Sequence, residues 1–572
     1  MTDKGDPAGD LQAIFQEEWE AHLQDDPFFA TVAGDKRYND RLPEASEAQA
    51  ERQAQRLRGF LSRVERIDHQ RLSAKDRLNL DVFRRLKQDA LAEIEFHVYR
   101  MPISRMGGFH TFFADLASVV RFQSAKDYED YLSRLAGYPA FCEGEIGLMR
   151  EGLRSGMTQP RPALDGTQSS IAAFITDDPA QSALYQPFTT VAETIPGSER
   201  DRLQAEARRV IGGAIVPAYR TLLRFMEETY LPGARMTIAA ADLPDGERFY
   251  EHRVRMNVSL PVAPAEVHQT GVREVRRIRQ EMDALRGKVG FAGDHAAFGE
   301  YLRREPRFYV ESGAQLMKEV AFILKRMDGE LPRLFRTLPR LPYGLKAVPD
   351  YVAPQTTTAY YWEGAGDGSR AGTYYINTYD LPSRPLYELE ALSLHEAVPG
   401  HHLQIALQQE LDLPEFRRFE GFTAFVEGWG LYAERLGLEA GFYTDPYNDY
   451  GRLTYEMWRA CRLVVDTGMH AFGWTRDQAI AFLMENTALT ELNVRNEVDR
   501  YITWPGQALA YKMGELKIRE LRRRAEERLG NAFDVRAFHD AVLLDGAIPL
   551  DVLEEKIEGW IEEAGRSGSN KT

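Results

Sequence analysis

The segment Leu392–Gln404, which reads LSLHEAVPGHHLQ, places the tightest constraint on how this chain can fold. Three of the 12 histidines in the chain lie within it. Pro399 lacks a backbone N–H and its ring clashes with the carbonyl four residues earlier, while Gly400 tolerates unusual dihedral angles. The sequence therefore predicts a helix that is kinked or widened between His395 and His401.

A histidine followed at once by a glutamate is typical of zinc-hydrolase helices, in which histidines four residues apart bind the ion and the glutamate activates water. Here Pro399 occupies the position of the second histidine. On a straight helix His401 would point about 120° away from His395, and His402 would lie about 10 Å further along the axis. A distortion at the proline could bring His401 to an ion shared with His395, and His402 is the alternative. Glu396 is the candidate for the general base.

The third metal ligand is expected on a neighbouring helix. Glu427 lies in the segment Phe419–Glu434, which is apolar and rich in aromatic residues. A buried carboxylate is unfavourable unless it is paired or binds a metal, so Glu427 is the first candidate. Glu434, one heptad further on, is the second.

Composition limits the class of partner. The 572 residues carry a net charge of −16, which argues against nucleic-acid binding because phosphate contacts need clustered Lys and Arg. The N-terminal residues lack a basic segment followed by an apolar run, and no window of about 18 apolar residues occurs, so we expect a cytoplasmic protein without a membrane span. Cys142 and Cys461 are interpreted as two buried thiols, so an ion would be bound by histidine and carboxylate.

Apolar periodicity predicts a mainly α protein with a small sheet. The best strand candidate is 371–379, just upstream of the histidines. Turn residues at 231–262 indicate a hinge between an N-terminal helical lobe, 1–240, and a C-terminal lobe with the metal site, 241–572. The helices are expected near 11–25, 46–70, 75–95, 114–122, 126–155, 168–176, 199–228 with a kink at Pro217, 265–285, 296–303, 312–327 and through most of the chain after 384.

The segment HEAVPGHHLQ, preceded by GTYYINT and followed by FVEGWGLYAE, resembles the bacterial proteins grouped as domain of unknown function 885. Matching segments at 29–43, 462–470 and 500–514 extend the resemblance over nearly the whole chain. That family is placed among the zincin-like peptidases, near the angiotensin-converting enzyme and thermostable carboxypeptidase branches. The resemblance implies a large two-lobed helical fold with a small sheet beside the active-site helix and a deep central cleft.

The resemblance also implies one zinc ion per chain, bound by His395, His401 and Glu427, with Glu396 as the general base. The family position equivalent to His402 is less constrained, which favours His401. Cobalt or manganese could occupy the same ligand set.

A hydrolase also needs residues that stabilise the oxyanion and bind the substrate. The candidates downstream of the metal helix lie in segments that match the family. An oxyanion needs a donor besides the metal, and the candidates are Tyr501, Tyr511 and His470. Arg500 and Lys512 could bind the terminal carboxylate of a peptide. Asp466 either orients a ligand histidine or caps a turn.

The strand at 373–378 offers a second kind of substrate contact. It could pair with an extended substrate through main-chain hydrogen bonds, with Tyr374 and Asn377 facing the cleft or the core in alternation. A purely structural strand is equally compatible with the sequence.

These observations together predict a zinc-dependent metallopeptidase that hydrolyses short peptides or peptide-like amides. The alternatives are a metal-dependent amidohydrolase of a specialised metabolite and a non-catalytic protein that binds zinc and peptide. The intact Glu396 argues against the second alternative, since a purely structural zinc site has no use for this carboxylate.

Overall fold

Helices account for most of the chain, so the predicted mainly α fold class is confirmed. The computed structural model describes residues 6–569 except 351–352, 354–355, 366–367 and 369. The chain divides into two compact units, Met1–Phe249 and Tyr250–Thr572. In the part of the chain that is described, no helix has the length and apolar character needed to cross a membrane.

The first unit is built from helices. They are α1 (Pro7–Asp25), α2 (Pro27–Val32), α3 (Glu47–Val64), α4 (Ala74–Glu95), α5 (Phe109–Val119), α6 (Ala125–Ser155), α7 (Thr167–Ala172), α8 (Gln186–Thr189), α9 (Gly197–Val210), α10 (Val216–Phe225) and α11 (Leu231–Gly233). Two-residue strands β1 (Ile103–Ser104) and β2 (Gly107–Gly108) form an antiparallel pair before α5 begins.

Helix α6 organises the core of the first unit. A capping box between Ser124 and Asp127 starts the helix by pairing backbone N–H groups that the first turn leaves unbonded. Its buried face is aromatic, and the ring of Tyr138 stacks on that of Tyr219 from α10 with centroids 5.1 Å apart. Burial of several such rings provides much of the apolar area that stabilises this unit.

The helix predicted at 199–228 is interrupted by widened turns rather than by a simple kink. Residues Ile211–Ile215 and Met226–Tyr230 are π-helical, and α10 lies between them. The first widened turn ends just before Pro217, where a regular helix would need an N–H that proline lacks.

The second unit contains the remaining helices. Helix α12 (Gly246–Val258) occupies part of the predicted hinge, and the division between the units falls within it. The others are α13 (Pro264–Lys288), α14 (His295–Arg304), α15 (Gly313–Leu334), α16 (Leu389–Glu396), α17 (His401–Glu410), α18 (Glu415–Phe419), α19 (Thr423–Leu436), α20 (Pro446–Ala471), α21 (Arg476–Asn486), α22 (Glu491–Thr503), α23 (Ala510–Leu529), α24 (Val535–Leu543) and α25 (Leu550–Ser569).

A three-stranded sheet stands beside α16 and α17. Strands β3 (Tyr343–Ala347), β4 (Ala359–Trp362) and β5 (Gly372–Ile376) are ordered β3-β5-β4. β5 is parallel to β3 and antiparallel to β4. The predicted strand at 371–379 is therefore confirmed as β5, the central strand of this sheet.

Helix α20 forms the centre of the second unit and is buried on nearly every side. It packs against α13 over a long contact, and α19 packs in the same way against α23. The histidine segment packs against these two pairs of helices, since α16 contacts α19 and α20 and α17 contacts α19.

Candidate metal centre

The helix that carries His395 ends at Glu396, and α17 starts at His401. The four residues between them form a bend that contains a cis Val398–Pro399 peptide bond. The buried indole of Trp429 donates a hydrogen bond from Nε1 to the Pro399 carbonyl at 2.8 Å, which fixes the bend against α19. The predicted distortion between the two histidines is confirmed.

Gly400 permits the close return of the chain over the end of α16. A Cβ at this position would lie 1.9 Å from the carbonyl oxygen of His395 and 2.4 Å from that of Leu394. Both distances are far inside van der Waals contact, so only glycine fits here. The bend therefore places the first residue of α17 beside the last turn of α16.

His395, His401 and Glu427 converge across this bend. The Oε2 atom of Glu427 lies 3.6 Å from Nε2 of His395 and 3.5 Å from Nε2 of His401. One ligand atom from each of the three side chains lies within 4.8 Å of the other two. The imidazole rings stand nearly perpendicular, with centroids 4.6 Å apart.

Two polar atoms at this convergence have no hydrogen-bond partner among the described residues. They are Oε2 of Glu427 and Nδ1 of His401, and both are buried. A buried acceptor left unpaired is unfavourable by about 1–3 kcal/mol, more when it is charged. Two imidazoles and a carboxylate are the ligand set of catalytic zinc sites, so these side chains fit a divalent ion.

Glu434 holds the other nitrogen of His395. Its Oε1 lies 2.8 Å from Nδ1 of that histidine, which leaves Nε2 directed at Glu427. Burial opposes the charged imidazole, but contacts with Glu427 and Glu434 raise the pKa of His395 to about 9 in the absence of an ion. A carboxylate in this position fixes the orientation of a ligand histidine and increases its basicity.

Gly430, on the same helix as these two glutamates, leaves space for the His395 ring. A Cβ there would lie 2.8 Å from Cε1 of the histidine. Asp466, predicted either to orient a ligand histidine or to cap a turn, accepts hydrogen bonds from the Tyr250 hydroxyl at 2.7 Å and from the Gly506 backbone N–H. The orienting role therefore belongs to Glu434, and heptad spacing from Glu427 is the only signal of it in the sequence.

His402 lies apart from this group. Its Nδ1 is 2.9 Å from the hydroxyl of Tyr361 on β4, and burial lowers its pKa to about 4. This contact between His402 and Tyr361 connects α17 to β4. The structure thus brings His401, not His402, to His395 and Glu427.

Glu396 follows His395 directly and is half-buried at the end of α16. Its carboxylate lies within electrostatic range of His395 and of Tyr374, and it raises the pKa of both. Burial raises the pKa of Tyr374 further, since this side chain is fully buried.

The strand residues predicted to bind substrate face the interior. Asn377 is fully buried and donates from Nδ2 to the carbonyls of Ala353 and Thr356 at 2.8 and 3.1 Å. Within the described residues, both edges of β5 are paired, so this strand leaves no edge for a peptide to join. Substrate pairing along 373–378 and contacts from Tyr374 and Asn377 are therefore corrected to structural roles.

Tyr501 is engaged in an internal network. Its hydroxyl donates to Oε2 of Glu497 at 2.7 Å and accepts from Nε of Arg462 at 2.9 Å and from the Trp458 indole at 3.1 Å. His470, which is fully buried, lies with Nε2 3.0 Å from the Tyr501 carbonyl. Neither group is placed to donate to a reacting carbonyl.

The two cations predicted to bind a terminal carboxylate are already paired. Lys512 is fully buried, with its ammonium 2.8 Å from Glu456, 2.9 Å from Glu515 and 3.1 Å from Glu274. Arg500 donates hydrogen bonds to both oxygens of Glu497 and to Oε1 of Gln507. Both side chains stabilise the helix packing, which corrects their predicted role.

Tyr511 is the predicted oxyanion donor that adjoins the candidate metal centre. It is half-buried on the first turn of α23. Burial and the charge of Glu427 raise its pKa, against the opposing influence of Arg462 and Arg500. The guanidinium carbon of Arg462 lies 4.5 Å from the centroid of the Tyr511 ring.

Comparison with known protein families assigns the chain to one of them. The family described as "Bacterial protein of unknown function (DUF885)" matches residues 27–557. The chain belongs to the DUF885 family. This confirms the resemblance recognised in the histidine segment, and it leaves the zincin-like character as a prediction. Among curated proteins, none matches the chain.

Two solved structures share the fold of this DUF885 protein. "The putative lipoprotein from Colwellia psychrerythraea" is 28% identical, with a TM-score of 0.93 over 98% of this chain and 100% of that one. "A putative lipoprotein of unknown function from Shewanella oneidensis" is 18% identical, with a TM-score of 0.75 over 96% of this chain and 99% of that one. The second likeness concerns the fold alone.

Proposed function

We propose that this DUF885 protein is a zinc-dependent metallopeptidase that hydrolyses short peptides or peptide-like amides. The observation that carries the proposal is the convergence of His395, His401 and Glu427 around a buried carboxylate oxygen that lacks a hydrogen bond within the described chain. Three protein ligands of this kind leave a coordination position for water in catalytic zinc sites.

A divalent ion bound here would lower the pKa of water and polarise the substrate carbonyl. Glu396 is placed next to the first ligand, where its carboxylate can accept the proton of the attacking water and deliver it to the leaving amine. Glu434 keeps Nδ1 of His395 protonated and the ring in one orientation. The Tyr511 hydroxyl is the available donor to a developing oxyanion, since a phenol is protonated at neutral pH and burial raises its pKa further.

The test starts with metal content and with hydrolysis of short peptides that have free or blocked termini, followed by intact mass. We expect the wild-type protein to bind about one zinc ion and to cleave some of these peptides. Glu396→Gln should retain the ion and lose at least about 100-fold in rate, because the proton acceptor is gone while the ligands remain.

Lys325→Gln serves as the control, since Lys325 is exposed and pairs only with Asp328 at 3.3 Å among the described residues. Hydrolysis by Glu396→Gln at the wild-type rate would refute the mechanism. A wild-type protein that binds zinc and cleaves no peptide or amide would refute the proposed activity.

A cytoplasmic location is a separate proposal that rests on the sequence. The two solved relatives are described as lipoproteins, and this description applies to those proteins. Fractionation of the native host into cytoplasm, periplasm and membranes tests the proposal, and recovery with the membranes would overturn it.

A further inference from the structure

Two buried arginines on α20 are incompletely paired beside the candidate metal centre. Arg459 and Arg462 are 5% and 4% exposed. Nε of Arg459 and Nη1 of Arg462 have no hydrogen-bond partner among the residues that the structure describes. Buried guanidinium groups are normally paired by carboxylates or other acceptors, so these two N–H groups leave binding capacity unused.

The carboxylates nearest these arginines are shared with other groups. Oε2 of Glu497 accepts from Arg462 at 3.1 Å and from Arg500 at 2.9 Å, so one carboxylate serves two guanidinium groups. Arg459 lies 3.6 Å from Oε1 of Glu434, an oxygen that already holds His395. Glu388 also lies within electrostatic range of Arg459, but burial raises the pKa of its carboxyl to about 7. Each of the two arginines therefore shares its nearest carboxylate, Arg462 with Arg500 and Arg459 with His395.

The rings of Trp458 and Tyr511 pack against these two guanidinium groups. The guanidinium carbon of Arg462 lies 4.3 Å from the Trp458 ring centroid and 4.5 Å from that of Tyr511. That of Arg459 lies 5.0 and 5.9 Å from the same two rings. Trp458 and Tyr511 are both half-buried, so they form the rim of the arginine pair. Glu434 connects the arginine pair to the candidate metal centre, because its Oε1 lies 3.6 Å from Arg459 and 2.8 Å from Nδ1 of His395.

We infer that Arg462, with Arg459 beside it, binds a carboxylate of the substrate next to the metal centre. The inference rests on the proposed function and defines its substrate class as short peptides or acylamino acids with a free carboxyl terminus. An arginine N–H left unpaired in the free protein would then complete its hydrogen bonding only when the substrate is bound. The neighbouring rings would contact the last side chain of the substrate.

Binding is measured on the zinc-loaded Glu396→Gln variant, so that turnover does not interfere. The probes are N-acetylated tripeptides of several sequences, each prepared as the free acid and as the carboxamide, with calorimetry as the readout. We expect the acids to bind at least about 10-fold more tightly than the amides, since hydrogen bonds between charged groups are stronger than those to a neutral amide. Equal affinity for acids and amides, or no binding of the acids, would overturn the inference.

Arg462→Gln in the same background should reduce the ratio of acid to amide affinity to near one. Arg462→Lys, which keeps the charge but loses the planar set of donors, should give an intermediate ratio and protects the test against a variant that fails to fold. Arg452→Gln is the matched control, because Arg452 is on the same helix, is 4% exposed and is paired with Asp449 and Glu456. A ratio that Arg462→Gln leaves unchanged would overturn the inference.

Hydrolysis of the same acids by the wild-type protein separates this inference from the proposed function. A preference for acids that depends on Arg462, without any hydrolysis, would refute the peptidase and support the carboxylate site. Cleavage of acids and amides at equal rates, with equal affinities, would support the peptidase and refute the site.

Discussion

At the scale of single residues, each ring nitrogen of His395 faces a different carboxylate. Glu434 takes Nδ1 at 2.8 Å, and Glu427 faces Nε2 at 3.6 Å. The two glutamates lie on one face of α19, one heptad apart, with Gly430 between them where the ring fits. The same helix thus supplies a candidate ligand and the group that orients another ligand.

Replacing the orienting carboxylate tests this division of roles. Glu434→Gln preserves the shape of the side chain but removes the charge that holds the Nδ1 proton. We expect zinc affinity to fall by about 10- to 100-fold while the ligands themselves remain. Competition with a chelator measures this affinity.

Glu439→Gln is the control. Glu439 pairs with Arg522 at 2.7 Å, and its side chain is 43% exposed. Unchanged zinc affinity in Glu434→Gln would show that the 2.8 Å contact has no influence on the ion.

At the scale of elements, the bend between α16 and α17 replaces the helical repeat as the means of placing two histidines together. The Pro399 carbonyl is held by Trp429, and Gly400 lies against the carbonyls of the preceding helix. The relative position of the histidines is therefore set by backbone packing within the bend.

Gly400→Ala should disturb both the fold and the ligands. The added methyl group would overlap the His395 carbonyl oxygen at 1.9 Å, so the bend must move. We expect the free energy of unfolding of the zinc-free protein to fall by about 2 kcal/mol or more, and zinc affinity to fall at least about 10-fold. Chemical denaturation and chelator competition provide the two measurements.

Gly421→Ala is a matched control, since a Cβ at that position would meet its nearest neighbour at 3.6 Å, an ordinary contact. A Gly400→Ala protein with wild-type stability and zinc affinity would contradict the steric role of this glycine.

The sequence allowed the bend and the candidate ligands to be predicted because their causes are local. Proline lacks a donor wherever it stands, and an isolated carboxylate in an apolar segment needs a partner, as at Glu427. Lys512 also pairs with Glu456 of α20, and the Tyr501 hydroxyl also bonds Arg462 of α20, and no local pattern indicates these contacts between helices. The same holds for Asn377, whose burial depends on the loop before β4.

At the scale of the whole molecule, buried charges connect helices that are distant in sequence. Lys512 of α23 contacts Glu456 of α20 and Glu274 of α13, in addition to Glu515 on its own helix. Glu456 is also bonded by Arg452 at 3.1 Å. This network lies in the second unit, where α20 packs against α13.

Lys512→Met should destabilise the protein strongly. Removing the ammonium takes one cation from three carboxylates at once, and breaking a buried ion pair in this way typically destabilises a protein by about 3–5 kcal/mol. Chemical denaturation of the zinc-free variant measures the change. Zinc affinity of the folded variant should remain near that of the wild type, because Lys512 does not contact the ligands.

Lys517→Met provides the comparison on the same helix. Lys517 pairs with Glu520 and Glu554 at 2.9 and 3.0 Å near the surface, so we expect a loss of about 1 kcal/mol or less. Equal effects of the two substitutions would contradict the importance of burial for the Lys512 network.

The bend between α16 and α17 has a further consequence for the folding of the chain. An ion bound by His395, His401 and Glu427 would be a cross-link between three helices, one of them separated from the others by α18. Such a link closes loops and reduces the conformational entropy of the unfolded chain only if the chain can bind the ion before it folds. Since the bend assembles the ligands only in the folded state, the ion would act by mass action on the native protein.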